Sequence, residues 1–409
     1  MPDVDLAGLA DGVAGRCIDR RSLLVGAAGA VAAASIGGPA CAAASAASAA
    51  AQRRPHFDPA LARELQQALR DALSDPATSF PGVILHVQSP TLGAWTGVAG
   101  LGRLSPASPM RPNDRFRAGS IVKPFVSTVV LQLAEHGKLS LDARMPDVLP
   151  TSVSGRFANA ADITVRMLLG HRSGIPEWDL PAVDTELSRD PAKVWKVSEF
   201  LDLAARQPPV FAPGTGFFYS NTDYNLLGLI IERITGRSWR HEVTRRVITP
   251  LRLTRTSLPA PGNRSIEGAH AHGYGQLDGK TIDLTRVDPS FAGAAGASAL
   301  VTTVGDLARF LDALFDDRLF RHRRTLKQML DLAPAQAEGG LVGYGLGIER
   351  RALPGGAELI GHLGGAPGYR SYTGRVHPSN ATISFALNTQ EDPTTLVIPV
   401  VQALAATKR

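Results

Sequence analysis

The chain has 409 residues, of which 44% are hydrophobic and 20% are charged, a composition typical of a folded globular protein and not of a disordered one. Its formal net charge is +6, and the basic residues are spread along the chain. The densest basic run, Arg321-His322-Arg323-Arg324, has no interleaved aromatic residues, so we expect no nucleic-acid partner.

The first 52 residues are interpreted as an export signal followed by an Ala/Ser-rich linker. No charged residue occurs from Ser22 to Gln52, and the pair Arg20-Arg21 stands just before the apolar segment Leu23 to Ile36. This order matches a twin-arginine signal, and the small residues from Ala40 to Ala51 offer cleavage sites. The apolar segment is shorter than the roughly 20 residues that cross a bilayer. We therefore predict an exported protein, periplasmic or secreted, with no stable membrane span after signal removal.

Both cysteines, Cys17 and Cys41, fall inside this signal. The remaining chain therefore has no disulfide. Cys41 in Gly38-Pro39-Ala40-Cys41 weakly resembles a lipoprotein cleavage box. We favour the interpretation that Cys41 is only a small apolar residue of the signal, and lipid anchoring at Cys41 is the less favoured alternative. The predicted domain division is signal and linker at 1–52 and one folded domain at 53–409.

The folded domain begins with a helix and a pair of strands. Asp58-Pro59 predicts a helix start, with leucines on one face after it. The stretches Val83 to Val87 and Ala94 to Val98 predict two strands across a turn at Ser89 to Gly93. His86 alternates with apolar residues and is expected to be a half-buried strand residue.

The stretch Phe116 to Phe125 carries the first candidate site residues. Of the seven lysines in the chain, only Lys123 has a serine, Ser120, three positions before it. If a helix begins near Ser120 and runs to Gly137, the two Cβ atoms lie roughly 5–6 Å apart, so Lys123 can take the hydroxyl proton. Burial lowers a lysine pKa, and a helix N-terminus favours a developing alkoxide. Ser120 is therefore a candidate nucleophile, although a serine at this position can also be only a helix cap.

From Lys138 to Phe315 the pattern is mainly helical. Thr164 predicts the N-cap of one helix, Asp223 to Ile234 a second helix, and Thr303 with Asp306 the capping box of a third.

The loop before the second of these helices contains Tyr219-Ser220-Asn221. A tyrosine near an ammonium group can have its pKa lowered and exchange protons. An asparagine amide can donate to a substrate carbonyl while accepting from Lys123. The alternative is that Tyr219 packs and that Ser220-Asn221 caps the next helix.

After Gly343 strands return, and a last helix carries Val397 to Leu404. The predicted strands are Tyr344 to Glu349, Glu358 to His362, Arg370 to Val376 and Thr382 to Asn388. The expected fold class is α+β, an antiparallel sheet built from N- and C-terminal strands flanked by helices. A mainly helical region is inserted at about 138–315, and the active site lies in the crevice between them.

The run His362-Leu363-Gly364-Gly365 follows a predicted strand. Glycines there let a substrate approach the strand edge closely. The N–H of Gly365 can join that of Ser120 as an oxyanion hole.

In this order, Ser-x-x-Lys, Tyr-x-Asn and His-x-Gly resemble the serine β-lactamase and penicillin-binding-protein superfamily. The resemblance looks closest to the branch of class C β-lactamases and actinomycete D-alanyl-D-alanine carboxypeptidases. It covers about residues 60–405 and includes two further segments, Ile163 to Gly174 and Gly343 to Gly347. It implies a β-lactamase/transpeptidase-like fold and catalysis through an acyl-enzyme.

The resemblance also implies a role for each site residue. Ser120 is the nucleophile, Lys123 its proton acceptor and Tyr219 the general acid/base. Asn221 is the partner of the substrate amide and of Lys123, and His362 is the polar group beside Tyr219. No cofactor and no metal are implied.

One position departs from the family pattern. Members that bind a free carboxylate usually have a hydroxyl residue where this chain has Leu363, and a leucine cannot donate. Arg350, Arg351 or Arg370 could compensate.

We therefore predict an exported serine hydrolase of small esters, amides or D-alanyl peptides. The alternatives are a D-alanyl-D-alanine carboxypeptidase, a class C-like β-lactamase, or a non-catalytic penicillin-binding sensor. The last is acylated once without turnover.

Two other hydrolase classes are disfavoured. No Gly-x-Ser-x-Gly occurs for an α/β-hydrolase. His270-Ala-His272 is the nearest approach to a zinc motif, but it lacks His-Glu-x-x-His and is more simply a polar pair.

Overall fold

The structure is a computed structural model, and it describes residues 56–76, 80–178, 180–277, 279–295, 298–337, 340–353 and 356–406. These residues belong to one compact unit, 54–409. The predicted export signal lies outside the described residues, as do Arg20-Arg21, Cys17 and Cys41, so the division at residue 52 stays a prediction. No helix in the described ranges is both long and apolar enough to cross a bilayer.

A nine-stranded antiparallel sheet forms the centre of the described chain, with strand order β3-β2-β1-β13-β12-β11-β10-β9-β8. In chain order the strands are β1 (Gly82–Ser89), β2 (Gly93–Arg103), β3 (Ser108–Pro109), β4 (Phe116–Arg117), β5 (Tyr274–Leu277), β6 (Lys280–Asp283), β7 (Val301–Thr302), β8 (Ala333–Ala337), β9 (Leu341–Tyr344), β10 (Glu349–Ala352), β11 (Glu358–Ala366), β12 (Tyr369–His377) and β13 (Ala381–Leu387). The early strand β1 pairs with the last strand β13, with Val83 opposite Leu387. The predicted fold class is confirmed.

Helices cover the sheet and fill the inserted region. They are α1 (Pro59–Ser74), α2 (Val122–Glu135), α3 (Met145–Val148), α4 (Thr151–Ser154), α5 (Val165–Leu169), α6 (Leu180–Arg189), α7 (Val197–Ala205), α8 (Asn221–Thr235), α9 (Trp239–Val243), α10 (Val304–Phe315), α11 (Arg323–Met329) and α12 (Thr394–Ala406). As predicted, Asp58 caps α1 by accepting the Ala60 N–H at 2.7 Å, and the hydroxyl of Thr164 caps α5.

Strand β1 is buried on both faces, so its apolar residues form a nearly continuous run. Side chains at 83, 85 and 87 pack with α1 and α12. Ile84, on the opposite face, belongs to the core that contains α2 and α10. His86 is buried and bonds Thr96 and Gln88, as a structural strand residue does.

Helix α2 is the central element of the larger core. All its residues from Val122 to Leu131 are buried, and Phe125 stacks on Phe310 of α10 with ring centroids 3.8 Å apart. A helix packed on all sides provides a fixed platform for the residues at its start.

One local prediction is wrong. The stretch Tyr344 to Glu349 is not one strand, because β9 ends at Tyr344 and β10 begins at Glu349. Between them Gly347 has φ +85°, which an extended strand does not allow. The inserted region is mainly helical, but it also contains the β5–β6 hairpin and β7, which pairs with β4.

Candidate active site

The start of α2 holds the candidate nucleophile. Ser120 lies in a single 3₁₀ turn, Gly119–Ile121, that leads directly into α2, so it shares a helical face with Lys123. Lys123 Nζ donates to Ser120 Oγ at 2.9 Å and to Asn221 Oδ1 at 2.7 Å. Ser120 is half-buried, whereas Lys123 has no exposed surface. The structure thus brings these three predicted residues into direct contact.

Burial decides the protonation of Lys123. Loss of solvation lowers its pKa to about 7, although the carboxylates of Glu177 and Glu349 oppose this shift. A large fraction of Lys123 is therefore uncharged at neutral pH. That is the state that accepts a proton from a serine hydroxyl.

Tyr219 completes the proton-transfer group. Its hydroxyl is hydrogen bonded with Ser120, and Lys123 Nζ lies 4.8 Å from its ring centroid. The sequence predicted a lowered pKa for this tyrosine, but burial raises the pKa well above 10, and the hydrogen bond with Ser120 offsets only part of that rise. Tyr219 is therefore a neutral phenol in the free protein, so it can donate a proton but must lose that proton before it can accept one.

A carboxylate that no motif predicted stands beside Asn221. Glu177 Oε2 accepts the Asn221 N–H at 2.7 Å, and Oε1 accepts the Trp178 N–H at 3.0 Å. Burial raises the pKa of Glu177 to about 7, while these N–H groups and the charge of Lys123 limit the rise. Glu177 and Lys123 thus titrate in the same pH range and interact with each other.

The edge of β11 faces the nucleophile. Strand β10 begins at Glu349, opposite Gly361, so within the described part of the chain β11 has no strand partner on that side after this point. The N–H of Leu363 points to this free side and donates to Glu349 Oε1 at 2.7 Å. In an antiparallel strand the N–H groups of residues two apart point the same way, so the N–H of Gly365 also faces the free edge.

Gly119 and Gly365 bring this edge to the nucleophile. Gly119 has φ +59°, and a Cβ placed on it would clash with the carbonyl group and the nitrogen of Gly365. Glycine at 119 therefore allows the peptide of Gly365 to contact the residue just before Ser120. Gly364 contacts Ala118 in the same way. This proximity is what an oxyanion hole made from the N–H groups of Ser120 and Gly365 requires.

A cleft of about 390 Å³ opens beside Asn221 and Gly365. Its other walls come from the loop and helix after Glu177, from the β5–β6 hairpin and from the segment after β11. The apolar side chains are Trp178, Val183, Leu187, Pro191, Leu277, Ile282, Leu284, Phe291, Ala366 and Pro367. None of the described lining residues is a lysine or an arginine.

Comparison with known proteins agrees with this arrangement. The family model described as Beta-lactamase matches residues 59–407, which is most of the chain. The chain belongs to the Beta-lactamase family. Members of this fold family include serine hydrolases such as amidases and penicillin-binding proteins.

Three relatives of this Beta-lactamase family chain are informative. A D-stereospecific amidohydrolase from Streptomyces sp. is 31% identical, with a TM-score of 0.73 over 82% of this chain and 97% of that chain. The D-amino acid amidase from Ochrobactrum anthropi SV3 is 28% identical, with a TM-score of 0.73 over 86% and 100% of the two chains. Penicillin-binding protein 4 from Amycolatopsis lactamdurans is 29% identical over 351 residues, 81% of this chain and 85% of that protein.

His362 lies near Tyr219, with the ring centroids 6.2 Å apart, but its nitrogens bond other groups. Nδ1 is 2.6 Å from the Leu363 carbonyl oxygen and Nε2 is 3.0 Å from the Tyr344 hydroxyl. Burial lowers its pKa to about 4, so the ring is neutral and donates from Nδ1. This geometry makes His362 a support for the β11 edge and for Tyr344.

Leu363, expected at a substrate-binding position, packs with the α1 and α12 core. The arginines considered as carboxylate binders differ in availability. Arg351 forms an ion pair with the buried Glu349 at 2.7 Å, and Arg350 lies 3.7 Å from Glu358. Arg370 is directly opposite Gly365 on β12. It is therefore the only one of the three placed beside the candidate oxyanion donor.

Sequence reasoning missed Glu177 and the β5–β6 hairpin. Glu177 belongs to no motif, and its importance arises only from its contact with Asn221. The hairpin did carry a signal, since the pair Asp278-Gly279 is typical of hairpin turns.

The His270-Ala-His272 pair remains a polar pair in the structure. His272 Nδ1 bonds Asp283 at 2.7 Å and His270 Nδ1 bonds the Gly268 carbonyl at 2.8 Å. Among the described residues, no three His, Cys, Asp or Glu side chains are grouped closely enough to hold a metal ion.

Proposed function

We propose that this Beta-lactamase family chain is a serine hydrolase that forms an acyl-enzyme on Ser120 and cleaves small amides and esters. The observation that carries the proposal is the fully buried amine of Lys123, which lies within hydrogen-bond distance of Ser120 Oγ. Burying a lysine beside a serine is unfavourable for stability, and such a strongly perturbed group in a cleft is typical of a catalytic base.

The proposed reaction uses the contacts described above. Neutral Lys123 takes the proton of Ser120 as the hydroxyl oxygen attacks the substrate carbonyl carbon. The N–H groups of Ser120 and Gly365 bind the oxyanion, and Tyr219 gives its proton to the leaving amine or alcohol. Lys123 then returns a proton to Tyr219. Water attacks the acyl-enzyme by the reverse sequence and releases the acid.

The carboxylate of Glu177 is our reason for proposing a substrate that carries an ammonium group. Its two oxygens accept the N–H groups of Asn221 and Trp178, and both of these residues line the cleft. An ionised carboxylate fixed in this way can accept a charge-assisted hydrogen bond from a cation, worth roughly 1.5–3 kcal/mol. An amino acid amide places its ammonium one carbon from the reacting carbonyl. We therefore propose amino acid amides and esters as substrates.

The apolar walls of the cleft favour an amino acid substrate with an apolar side chain. The D configuration is suggested by the names of the Streptomyces and Ochrobactrum relatives. D-Phenylalaninamide is accordingly the first compound to test.

The deciding experiment compares D-phenylalaninamide with its N-acetyl derivative and its L enantiomer. We expect turnover of the first, a 10-fold to 100-fold lower kcat/KM for the acetylated compound, and loss of this difference in Glu177→Gln. Ser120→Ala should abolish all turnover and all labelling by a fluorophosphonate. A well-folded Ser120→Ala protein that keeps more than a few per cent of the activity would refute the nucleophile assignment. Release of a single equivalent of product would indicate an acylated sensor.

One observation favours D-alanyl-D-alanine carboxypeptidase activity as the second candidate. Arg370 lies beside Gly365, where it is near enough to meet a substrate carboxylate, and penicillin-binding protein 4 is among the relatives. Arg370 Nη2 already donates to the Gln390 carbonyl oxygen at 2.9 Å. Efficient cleavage of a D-alanyl-D-alanine peptide, lost in Arg370→Gln, would make this candidate the better one. A penicillin assay with the same pair of proteins tests the β-lactamase alternative.

A further inference from the structure

The segment Ile163 to Gly174 has no part in the proposed chemistry, yet it places His171 beneath the site. His171 has no exposed surface. Its backbone has φ +56°, a left-handed conformation that is uncommon for residues other than glycine, although histidine adopts it more often than most other residues. A fully buried histidine with a left-handed backbone next to a proposed active site calls for a functional explanation.

His171 contacts the chain on both sides of Tyr219. Its carbonyl oxygen accepts the N–H of Phe218 at 3.0 Å, and its Nδ1 accepts the N–H of Ser220 at 3.2 Å. The imidazole ring packs against the Tyr219 ring itself, with centroids 4.4 Å apart and planes tilted by 39°. One residue therefore fixes the backbone before Tyr219, the backbone after it and the face of its ring.

The charge state of His171 suits this role. Burial and the nearby charge of Lys123 lower its pKa well below 6.5, so the ring is neutral and Nδ1 can accept. Asp223 Oδ2 lies 3.3 Å from Nδ1, and Asp223 Oδ1 accepts the Ser173 hydroxyl at 2.6 Å. Burial raises the pKa of Asp223 well above its usual value. A protonated Asp223 adds no charge under the site, so the Nδ1 lone pair stays available to the Ser220 N–H.

Other rings close the remaining sides of His171. Tyr344 lies with its centroid 4.9 Å away in an edge-on arrangement, and Tyr224 lies at 5.2 Å. Tyr344 in turn bonds His362. The imidazole therefore cannot turn without displacing these neighbours, and Tyr219 rests on a rigid support.

We propose that His171 is a positioning residue that holds the Tyr219 hydroxyl at hydrogen-bond distance from Ser120. This inference rests on the proposed function, because it assigns a purpose to Tyr219 in proton transfer. A displacement of about 1 Å in such a group can reduce a rate about 100-fold. His171 itself makes no bond to the substrate in this scheme.

Two variants separate the contacts of His171. His171→Asn keeps a short acceptor and a residue that tolerates the left-handed backbone, but it removes the ring. His171→Phe keeps a ring but removes the acceptor for Ser220. We expect kcat for D-phenylalaninamide to fall about 10-fold in the first and about 100-fold in the second, with KM changed less than about threefold.

The decisive measurement repeats each substitution in a Tyr219→Phe background. If His171 acts through the tyrosine hydroxyl, neither substitution lowers kcat further once that hydroxyl is absent. The His171 substitutions should also lower kcat more for the amide than for p-nitrophenyl acetate, because a nitrophenolate leaves without a proton from Tyr219. If the role of His171 is merely structural, its substitution should lower kcat equally for both substrates, and the loss should persist in the Tyr219→Phe background.

The outcomes separate this inference from the proposed function. Labelling of Ser120 by a fluorophosphonate, with kcat unchanged in both His171 variants, would overturn the positioning role alone. Equal losses with and without the Tyr219 hydroxyl would overturn it as well. If Ser120 in the wild-type protein is not labelled and no substrate is turned over, both proposals fail. Thermal unfolding of each variant, followed by circular dichroism, identifies losses caused by misfolding. If His171→Phe does not fold, the His171→Asn pair decides.

Discussion

Lys123 and Glu177 share one pH range in this protein, since burial moves both of their pKa values to about 7 from opposite sides. The charged form of each group favours the charged form of the other. The protonation of one group therefore affects the other.

This coupling predicts a pH effect. Lys123 must be uncharged to accept the serine proton, so kcat/KM for p-nitrophenyl acetate should rise as the pH increases through about 7. Glu177→Gln removes a carboxylate that raises the Lys123 pKa, so this rise should move to lower pH. The exposed Glu267→Gln is the matched control and should leave the profile unchanged. A profile that shifts upward in Glu177→Gln would contradict the coupling.

A second prediction concerns stability. The Lys123 pKa is about 7 in the folded protein and about 10.5 in the unfolded chain, so the unfolded chain binds more protons between these pH values. Wild-type stability should therefore rise with pH across this window. Lys123→Met should be inactive but more stable by roughly 2–4 kcal/mol at pH 7, with a gain that shrinks toward pH 10. Urea unfolding at several pH values measures this, with the exposed Lys138→Met as control.

The third prediction tests the protonated state of Asp223. Because burial raises its pKa, the folded protein keeps a proton that the unfolded chain loses above about pH 4. Asp223→Asn has the same shape and no such proton, so it should keep kcat within about threefold, and its stability relative to the wild-type protein should increase as the pH rises from 5 to 8. Asp223→Ala, which leaves Ser173 without its acceptor, should instead lose about 1–3 kcal/mol. Unfolding midpoints of the wild-type protein and of both variants at pH 5 and pH 8 show whether Asp223 is protonated in the folded protein.

The fourth prediction concerns Leu363. The sequence suggested that a hydroxyl here would bind a substrate carboxylate, but the side chain packs with the α1 and α12 core. Leu363→Thr should therefore lower the unfolding free energy by about 1–2 kcal/mol and raise kcat/KM for a D-alanyl-D-alanine peptide less than 10-fold. Leu363→Val, which stays apolar, is the control. A gain of 10-fold or more would restore the hydroxyl interpretation.

The fifth prediction is that residues 1–52 direct export, which we propose from the sequence. Replacing Arg20-Arg21 with two lysines should retain the protein in the cytoplasm, because a twin-arginine signal needs the arginine pair. Fractionation of the producing cells, with the same change at Arg53-Arg54 as control, measures the effect. Undiminished export of the Arg20-Arg21 variant would indicate another route.

The sequence predicted the parts of the site that are close together in the chain. Ser120 and Lys123 are three residues apart, and Tyr219 and Asn221 are two apart, so local geometry alone suggested shared chemistry. The contact of Asn221 with Lys123 also followed, through the family resemblance. These residues are in contact in the structure as expected.

Other parts depend on tertiary contacts and could not be derived from local patterns. Glu177 precedes no cap and joins no motif, so only the folded chain places it against Asn221. The stretch Tyr344 to Glu349 has strand-like composition, but Gly347 at φ +85° interrupts it. The Tyr219 pKa was predicted with the wrong sign, because burial outweighs the hydrogen bond with Ser120 that lowers it.

The contact between Gly119 and Gly365 has a consequence for the newly made chain. Ser120 leaves the ribosome early, whereas the strand edge that completes its surroundings is synthesised near the end, and β1 must wait still longer for β13. Such distant pairings form slowly and only in a nearly complete chain. We therefore expect a truncated or stalled product to carry Ser120 and Lys123 without the strand edge that the proposed acylation needs.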